Sequence, residues 1–577
     1  MIQYLNVNNV FMSKVVKIGK RAKIFFFAIL FSISTFLSFA FIDEYFEISK
    51  NLDIFSSLYR EVNIYYVDET NPGKLIEKGI EGMLESLDPY TVFIPEADME
   101  QHRFTITGQY GGIGSLIRRR DNKIIIAEPY ENFPAHKAGM MAGDIIIEVN
   151  GKEITGKNTG EVSKILKGQP GTVLLIKVKR MGFEEPIDLE VTRGEIKVKS
   201  VPFYGMIDES IGFIKLTSFT NKAHAQVKEA LTDLKENNEL KGLVFDLRGN
   251  PGGLLREAVN IVNLFVDKGQ EIVSTKGRLS DWDKVHRGLN DPIDKTLPIV
   301  CLVNGNSASA SEIVSGALQD LDRGVVLGQK TFGKGLVQQT LKLSYNSQLK
   351  VTTAKYYIPS GRCIQALDYS NKNKDGNAEE IPDSLIAEFK TKGGRIVYDG
   401  GGILPDKKIE VEKPSKLLIS LLNKMLIFDY ATSYRFSHDT IESVENFVFS
   451  DSDYQEFLDF LKDKEYGYTT RSEKALKDLK KISTEEKYFE VAKEEYEALK
   501  EALVHSNEED LDKFKDQIIA RIKREIISRY YFQKGKIKLS LQSDKEILKA
   551  VTLLSDSSSY YATFHTHKES SKEEINN

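Results

Sequence analysis

Cysteine, an excess of basic charge and the common cofactor signatures are what this chain lacks. Among its 577 residues there are two cysteines, Cys301 and Cys363. Two cannot build a disulfide framework or a thiolate metal site. Cys301 lies in an apolar run and reads as a buried strand residue; a bridge between the two stays open for a protein outside the cytoplasm. Lysine plus arginine number 79 against 84 acidic residues, a net charge of −5, so nothing points to nucleic acid. No Gly-x-x-x-x-Gly-Lys-Ser/Thr run offers a phosphate cradle and no His-Glu-x-x-His offers a zinc site, so neither cofactor nor metal is expected. His565-x-His567 supplies two ligands, too few for a closed metal site. The remainder is ordinary: 41% hydrophobic and 28% charged residues suit a globular protein, and the length calls for several domains.

One stretch departs from that average. Lys14, Lys17, Lys20, Arg21 and Lys23 precede residues 24–42, which carry no charge. The run is about long enough to span a bilayer, and its basic flank would keep the start cytoplasmic and export the rest. Ser38-Phe39-Ala40 resembles a cleavage site, so both an uncleaved anchor, favoured by the length of the run, and a removed signal sequence stand. No cysteine follows, which excludes a lipid anchor through cysteine.

Further on, Phe46, Leu52, Phe55, Leu58 and Val62 recur at helical spacing, and so do Leu75, Ile76, Ile80, Met83, Leu84 and Leu87. Two core-packing helices are predicted, the second ended by Asp88-Pro89. From residue 105 the pattern changes. Tyr110-Gly111-Gly112-Ile113-Gly114 is a glycine-rich turn opening a strand, and 123–127 and 145–149 read as strands. Asn150-Gly151 is a hairpin turn. Residues 159–167 read as a helix stopped by Gly168, and 172–179 as a closing strand. The Gly-Gly-Ile-Gly loop together with Ala138-Gly139-x-x-x-Gly143-Asp144-x-Ile146-x-x-Val149-Asn150-Gly151 resembles a PDZ domain. That resemblance implies an extended peptide added as a strand, with the amides of Gly112, Ile113 and Gly114 holding its C-terminal carboxylate.

Residues 196–412 alternate strands and helices. Three buried strands there each end in a tight turn: 243–247 in Arg248-Gly249-Asn250-Pro251-Gly252-Gly253, 299–303 ahead of Ser307-Ala308-Ser309-Ala310-Ser311-Glu312, and 324–328 ahead of Thr331-Phe332-Gly333-Lys334-Gly335. Strand ends of this kind are where α/β sheets present chemistry. A serine needs a base to become a nucleophile. No histidine lies near either motif, so Lys334 is the base on offer for Ser309. An exposed lysine titrates near about 10.4, so this one must be buried to be neutral. Phe332, Leu336 and Val337 are expected to surround it, and Gln338 to orient it without adding charge. Ala310 and one amide of the Gly252-Gly253 pair could form an oxyanion hole. Taken alone, each motif also reads as a plain turn or helix cap; three in one α/β stretch make coincidence a poor account. Residues 371–380 read as a polar surface loop. Beyond Lys413, helix formers recur with no chemical motif.

Residues 45–412 resemble the C-terminal processing peptidases, or tail-specific proteases. The resemblance rests on Leu87-Asp88-Pro89-Tyr90-Thr91, the Asp246–Gly253 turn, and the Ser309 and Lys334 motifs set 25 positions apart. It implies a multi-domain α/β protein: an N-terminal helical segment, a PDZ domain (a partly open β-barrel with helices), an α/β serine peptidase core and a C-terminal helical region. The expected divisions are a cytoplasmic basic segment 1–23, an anchor or signal 24–42, a helical region 43–104, PDZ 105–195, peptidase 196–412, helical region 413–555 and a disordered tail 556–577. It implies a Ser309–Lys334 dyad with Gln338 orienting the lysine, and Ala310 with Gly252 or Gly253 as oxyanion donors. Unfolded or loosely structured protein C-termini would be the substrates. The enzyme would sit on the periplasmic side of the cell envelope, at the inner membrane if the anchor is kept, as a homo-oligomer in some relatives. The competing reading is a peptide-binding scaffold or assembly protein with secondary or no proteolysis.

Overall fold

The computed structural model describes residues 45–565 except 375, 411 and 504–506. The stretch read as an anchor or signal, 24–42, lies outside the described residues, and among these no helix is long and apolar enough to cross a membrane. Residues up to Ser86 form one unit and those from Leu87 a second. In the first, a helix covers 45–65 and another Pro72–Glu85, opened by the Asn71 side chain accepting from the Lys74 amide. Phe46, Leu52 and Leu58, expected in a core, stand exposed.

The second unit begins with a strand, Val92–Ile94, and a helix, Met99–Thr107, so the region read as helical also carries a strand. The PDZ fold follows. Its sheet runs in the order Ser115–Arg120, Lys123–Pro129, Ile145–Val149, Val173–Lys179, Ile187–Thr192, and the helix Thr159–Leu166 packs against its first, edge strand. The domain extends past the expected closing strand, because Gly194–Lys197 returns to pair antiparallel with Gln109–Gly112. Alternation along the strands buries Ile124, Ile126, Ile146, Leu174, Ile176 and Val178.

The peptidase sheet runs in the order Phe203–Met206, Ile211–Lys215, Gly242–Asp246, Ile299–Val303, Val325–Gly328, Lys407–Lys408. All neighbours but the first pair are parallel. Such a sheet needs cover on both faces. Helices Ala223–Asn237, Leu255–Val262 and Ala310–Asp320 pack on one face, around Leu243, Phe245 and Cys301. The other face, with Phe213, Val244, Val300 and Leu302, is covered from the far end of the chain by Ile547, Ala550, Leu553 and Leu554 of the helix Lys545–Ser555, and by Tyr560. Tyr560 lies in a further helix, Ser557–Ala562, and its hydroxyl meets the backbone of Ile299. The tail expected to be disordered from 556 is thus ordered as far as that helix, because a buried tyrosine anchors it. An antiparallel sheet formed by Gln348–Tyr357 with Leu336–Lys342, Val92–Ile94 and Glu271–Gly277 stands beside the core. The expected loop at 371–380 is instead part of a hairpin, Leu367–Lys372 with Ala378–Glu380.

The remaining C-terminal helices build their own core around Leu417, Ile427, Tyr430, Phe457, Ile522 and Ile526. This body also meets the PDZ domain, through Arg120 on Asp429 at 2.8 Å, Lys536 on Glu128, and Ile125 packed with Met425 and Phe428.

Candidate active site

Ser309 stands where the parallel sheet hands over to the helix Ala310–Asp320, at the helix's N-cap. Every residue of that helix is buried. Ser309 has φ 55° and ψ −112°, a conformation that costs a non-glycine residue about 1–3 kcal/mol. The surroundings hold it there. Its amide donates to Glu312 Oε2 at 2.7 Å, and its carbonyl accepts from the Tyr356 hydroxyl at 3.2 Å.

Glu312 joins two of the turns. Fully buried, it also accepts from the amides of Gly333 at 2.7 Å and Lys334 at 2.9 Å and from Thr331 Oγ1 at 2.6 Å. Burial pushes its carboxyl up to about 7, against the pull of these donors. One side chain therefore fixes the backbone of both Ser309 and Lys334. A Ser-x-x-Glu spacing signals a helix cap; that the same carboxylate would also reach the lysine turn is not visible in sequence.

Lys334 is half-buried, and burial, helped by nearby Lys350 and opposed by Asp88 and Glu312, brings its ammonium down to about 8. Its surroundings differ from expectation. Phe332 is 49% exposed; Leu336 is buried and Val337 half-buried. The ammonium lies on the face of Tyr90, 3.9 Å from the ring centroid. Asp88 sets that ring by accepting from the amides of Tyr90 and Thr91, both at 2.8 Å, which gives the Leu87–Thr91 motif a local cause. A ring face favours the charged amine by about 0.5–2 kcal/mol, in opposition to burial. Gln338 Nε2 donates to Thr352 Oγ1 at 3.2 Å on the partner strand, next to a strand bulge between Val337 and Gln338, and among the described residues no hydrogen bond from Lys334 Nζ to its Oε1 is found. Among the described residues no hydrogen bond joins Ser309 Oγ to Lys334 Nζ.

A glycine turn closes on the serine. The Asp246–Gly253 turn approaches so closely that a Cβ on Gly252 would stand 2.7 Å from Ala308 O and 2.9 Å from Ala310 N and Ser309 Cβ. The Gly252 amide is taken by Asn250 Oδ1 at 2.9 Å. The amides of Gly253 and Ala310 have no acceptor among the described residues, and the second lies at a helix N-terminus, where developing negative charge is favoured. In the PDZ fold, Gly112, Ile113 and Gly114 are buried. The carbonyls of Ile113 and Gly114 are held by the amides of Ala135 and Tyr130 at 2.7 and 2.9 Å, while the Ile113 and Gly114 amides are left without an acceptor among the described residues. Gly114 has φ +72°, and a Cβ would meet Phe133 at 2.6 Å, so only glycine fits there. Both cysteines are free, and among the described residues no cluster of side chains could hold a metal ion.

The comparisons agree with this architecture. Residues 210–369 match the model of peptidase family S41, 125–180 that of a PDZ domain, and 417–554 that of a probable PDZ-protease C-terminal helical domain. A carboxy-terminal-processing protease of Bartonella bacilliformis is 40% identical over 322 residues, 55% of this chain and 73% of its own. Carboxy-terminal processing protease CtpA of Bacillus subtilis is 30% identical over 438 residues, 75% of this chain and 91% of its own. A solved photosystem II D1 C-terminal processing protease is 28% identical, with 56% of this chain and 90% of that one covered and a TM-score of 0.32. The family models and the two sequence relatives define a serine-type peptidase with a PDZ domain. The chain belongs to the carboxy-terminal processing proteases.

Proposed function

We propose that this peptidase hydrolyses exported proteins near their C-termini with a Ser309–Lys334 dyad, after its PDZ domain has captured the free tail. The observation that carries the reading is the Glu312 carboxylate, which bonds the amides of Ser309 and Lys334 together beside a lysine lowered to about 8. Neutral Lys334 Nζ takes the proton of Ser309 Oγ as the oxygen attacks the scissile carbonyl. The resulting oxyanion is received by the amides of Ala310 and Gly253, with Gly252 giving the room. The amine leaves with the lysine's proton, and water then releases the acyl group. For the first step Lys334 must leave the Tyr90 face for the serine; Gln338, four positions on, is the polar group offered to guide it. The Gly112, Ile113 and Gly114 loop beside an open edge strand supports capture of a carboxylate-terminated peptide by strand addition. The uncharged run 24–42 behind a basic segment supports export and a site on the outer side of the inner membrane.

The test is cleavage of an unstructured protein ending in small apolar residues, with its C-terminus free or amidated. Ser309→Ala and Lys334→Ala are each expected to lower kcat by about 10⁴-fold or more, and amidation to raise KM without a matching loss of kcat. Cleavage by Ser309→Ala at the unmutated rate sinks the dyad; indifference to amidation sinks tail capture.

A further inference from the structure

Arg248 sits at the start of the turn that carries Gly252 and Gly253, and its charge is met from two directions. Inside the core, its Nε and Nη2 donate to Asp246 at 3.0 and 2.8 Å, and its carbonyl accepts from Lys215 Nζ at 2.9 Å. From the opposite end of the chain, Asp544 takes Nη1 at 2.8 Å and 3.0 Å on its two oxygens, and Glu546 takes the same nitrogen. The guanidinium side chain is 12% exposed, so these are nearly buried ion pairs, of the kind whose rupture leaves an uncompensated charge. Asp544 is itself immobilised. It is the N-cap of the helix Lys545–Ser555, accepting from the amides of Glu546 and Ile547 at 2.9 and 3.2 Å, and that helix is seated on the sheet through Ile547 and Ala550.

We propose that Asp544 and Glu546 are positioning residues for the peptidase reaction: through Arg248, the C-terminal helical region holds the oxyanion turn in register with Ser309. The inference rests on the reading above, in which the Gly253 and Ala310 amides receive the oxyanion. The remainder of the turn is tied to the peptidase core alone. The Gly249 amide goes to Asn304 Oδ1 at 3.0 Å, Asn250 Nδ2 to Leu216 O at 3.0 Å, and the Asn250 carbonyl accepts from the Ala308 amide and from Ser311 Oγ. Those bonds fix the floor of the turn. Arg248 fixes its outer edge, and without the two acids its guanidinium keeps only Asp246, while its carbonyl keeps Lys215. Oxyanion donors act through where they stand in the transition state, and a shift of about 1 Å costs about 100-fold in rate. The acids never touch substrate, so their loss should be felt in kcat and in affinity for tetrahedral analogues, while ground-state binding at the PDZ domain stays as it was.

The experiment compares the full-length protein with Asp544→Asn/Glu546→Gln, the single Glu546→Gln, Asp544→Glu and Ser309→Ala. It measures kcat and KM on the unstructured protein, Ki for a peptide boronic acid, and Tm. The expected result for the double variant is a kcat lower by about 10- to 100-fold, a boronate affinity weakened in parallel and a KM within about twofold. Asp544→Glu, which keeps the charge, should recover most of the rate. A double variant with unchanged kcat and boronate affinity overturns the proposal. So does a fall in kcat that only tracks a fall in Tm across the single and double variants, since that is a tie of the helix to the sheet and nothing more. Ser309→Ala separates the two readings. If it is inactive while the acid variants are not slowed, positioning alone falls; if it keeps its activity, the dyad and the positioning fall together.

Discussion

The two faces of the parallel sheet are covered in different ways. On one, each helix is the connection between neighbouring strands, so Ala223–Asn237, Leu255–Val262 and Ala310–Asp320 arrive with the strands they cover. On the other, the cover is the helix Lys545–Ser555 and Tyr560, delivered after the chain has built the PDZ domain, the second sheet and a helical body of its own. The first face carries the chemistry, with Ser309 at the head of its helix. The second carries Arg248's outer partners. The difference teaches that the peptidase core is not closed by the segment that holds its motifs. A parallel sheet with Phe213, Val244 and Leu302 bare on one side would be unfinished, so the C-terminal region completes the fold as well as extending it.

The sharpest way to break this comparison is to weaken the late-arriving face alone. Ile547 is fully buried against the sheet. Ile547→Ala should destabilise by about 2–5 kcal/mol through lost burial and the cavity left behind, read as a fall in urea midpoint at unchanged m. A change below about 0.5 kcal/mol would mean that the helix lies on a core already stable without it.

A smaller effect tests the chemical face. Lys334 is lowered to about 8 by burial, and its base form is the neutral one. Its protonated fraction grows as pH falls through that value, so kcat/KM should drop about tenfold per pH unit below it. Glu312 is raised to about 7. Protonating it takes away the negative charge that strengthens its bonds from the Ser309 and Lys334 amides, so the acid limb should steepen below pH 7. A rate flat from pH 6 to 9 would show that neither group controls the step.

What could be read in the sequence follows the same division. The position of the turns carrying Ser309, Lys334 and the Gly252-Gly253 pair was legible because each follows a short apolar strand. The PDZ loop was legible because only glycine suits its backbone, as Gly114 at φ +72° shows. Directions were not. Phe332 is apolar and adjacent to Lys334, yet it points to solvent, and Tyr90 from a remote segment takes the lysine's flank. The direction of the Gln338 amide, which donates to Thr352 beside a strand bulge, has no local pattern in sequence either. Asp544 is an ordinary helix cap in sequence. Its partner Arg248 is found only when the sheet's second face is covered, and long-range pairing of that kind has no local pattern.

The C-terminal region is itself divided, and its exposed part gives the smallest prediction. Leu476 is the one buried residue of the helix Arg471–Glu485, and the helix Lys493–Leu503 has none among its described residues. Leu499 on the latter is 48% exposed, in contrast to Ile547 on the same side of the chain's motif-poor half. Surface substitutions of this kind move stability by about 0.5 kcal/mol or less, and leucine to alanine even favours a helix. Leu499→Ala should therefore leave both the urea midpoint and kcat/KM on the unstructured substrate unchanged within error. A loss comparable to that of Ile547→Ala would mean that the helix Lys493–Leu503 is covered in the working protein, as the helix Lys545–Ser555 is by the sheet.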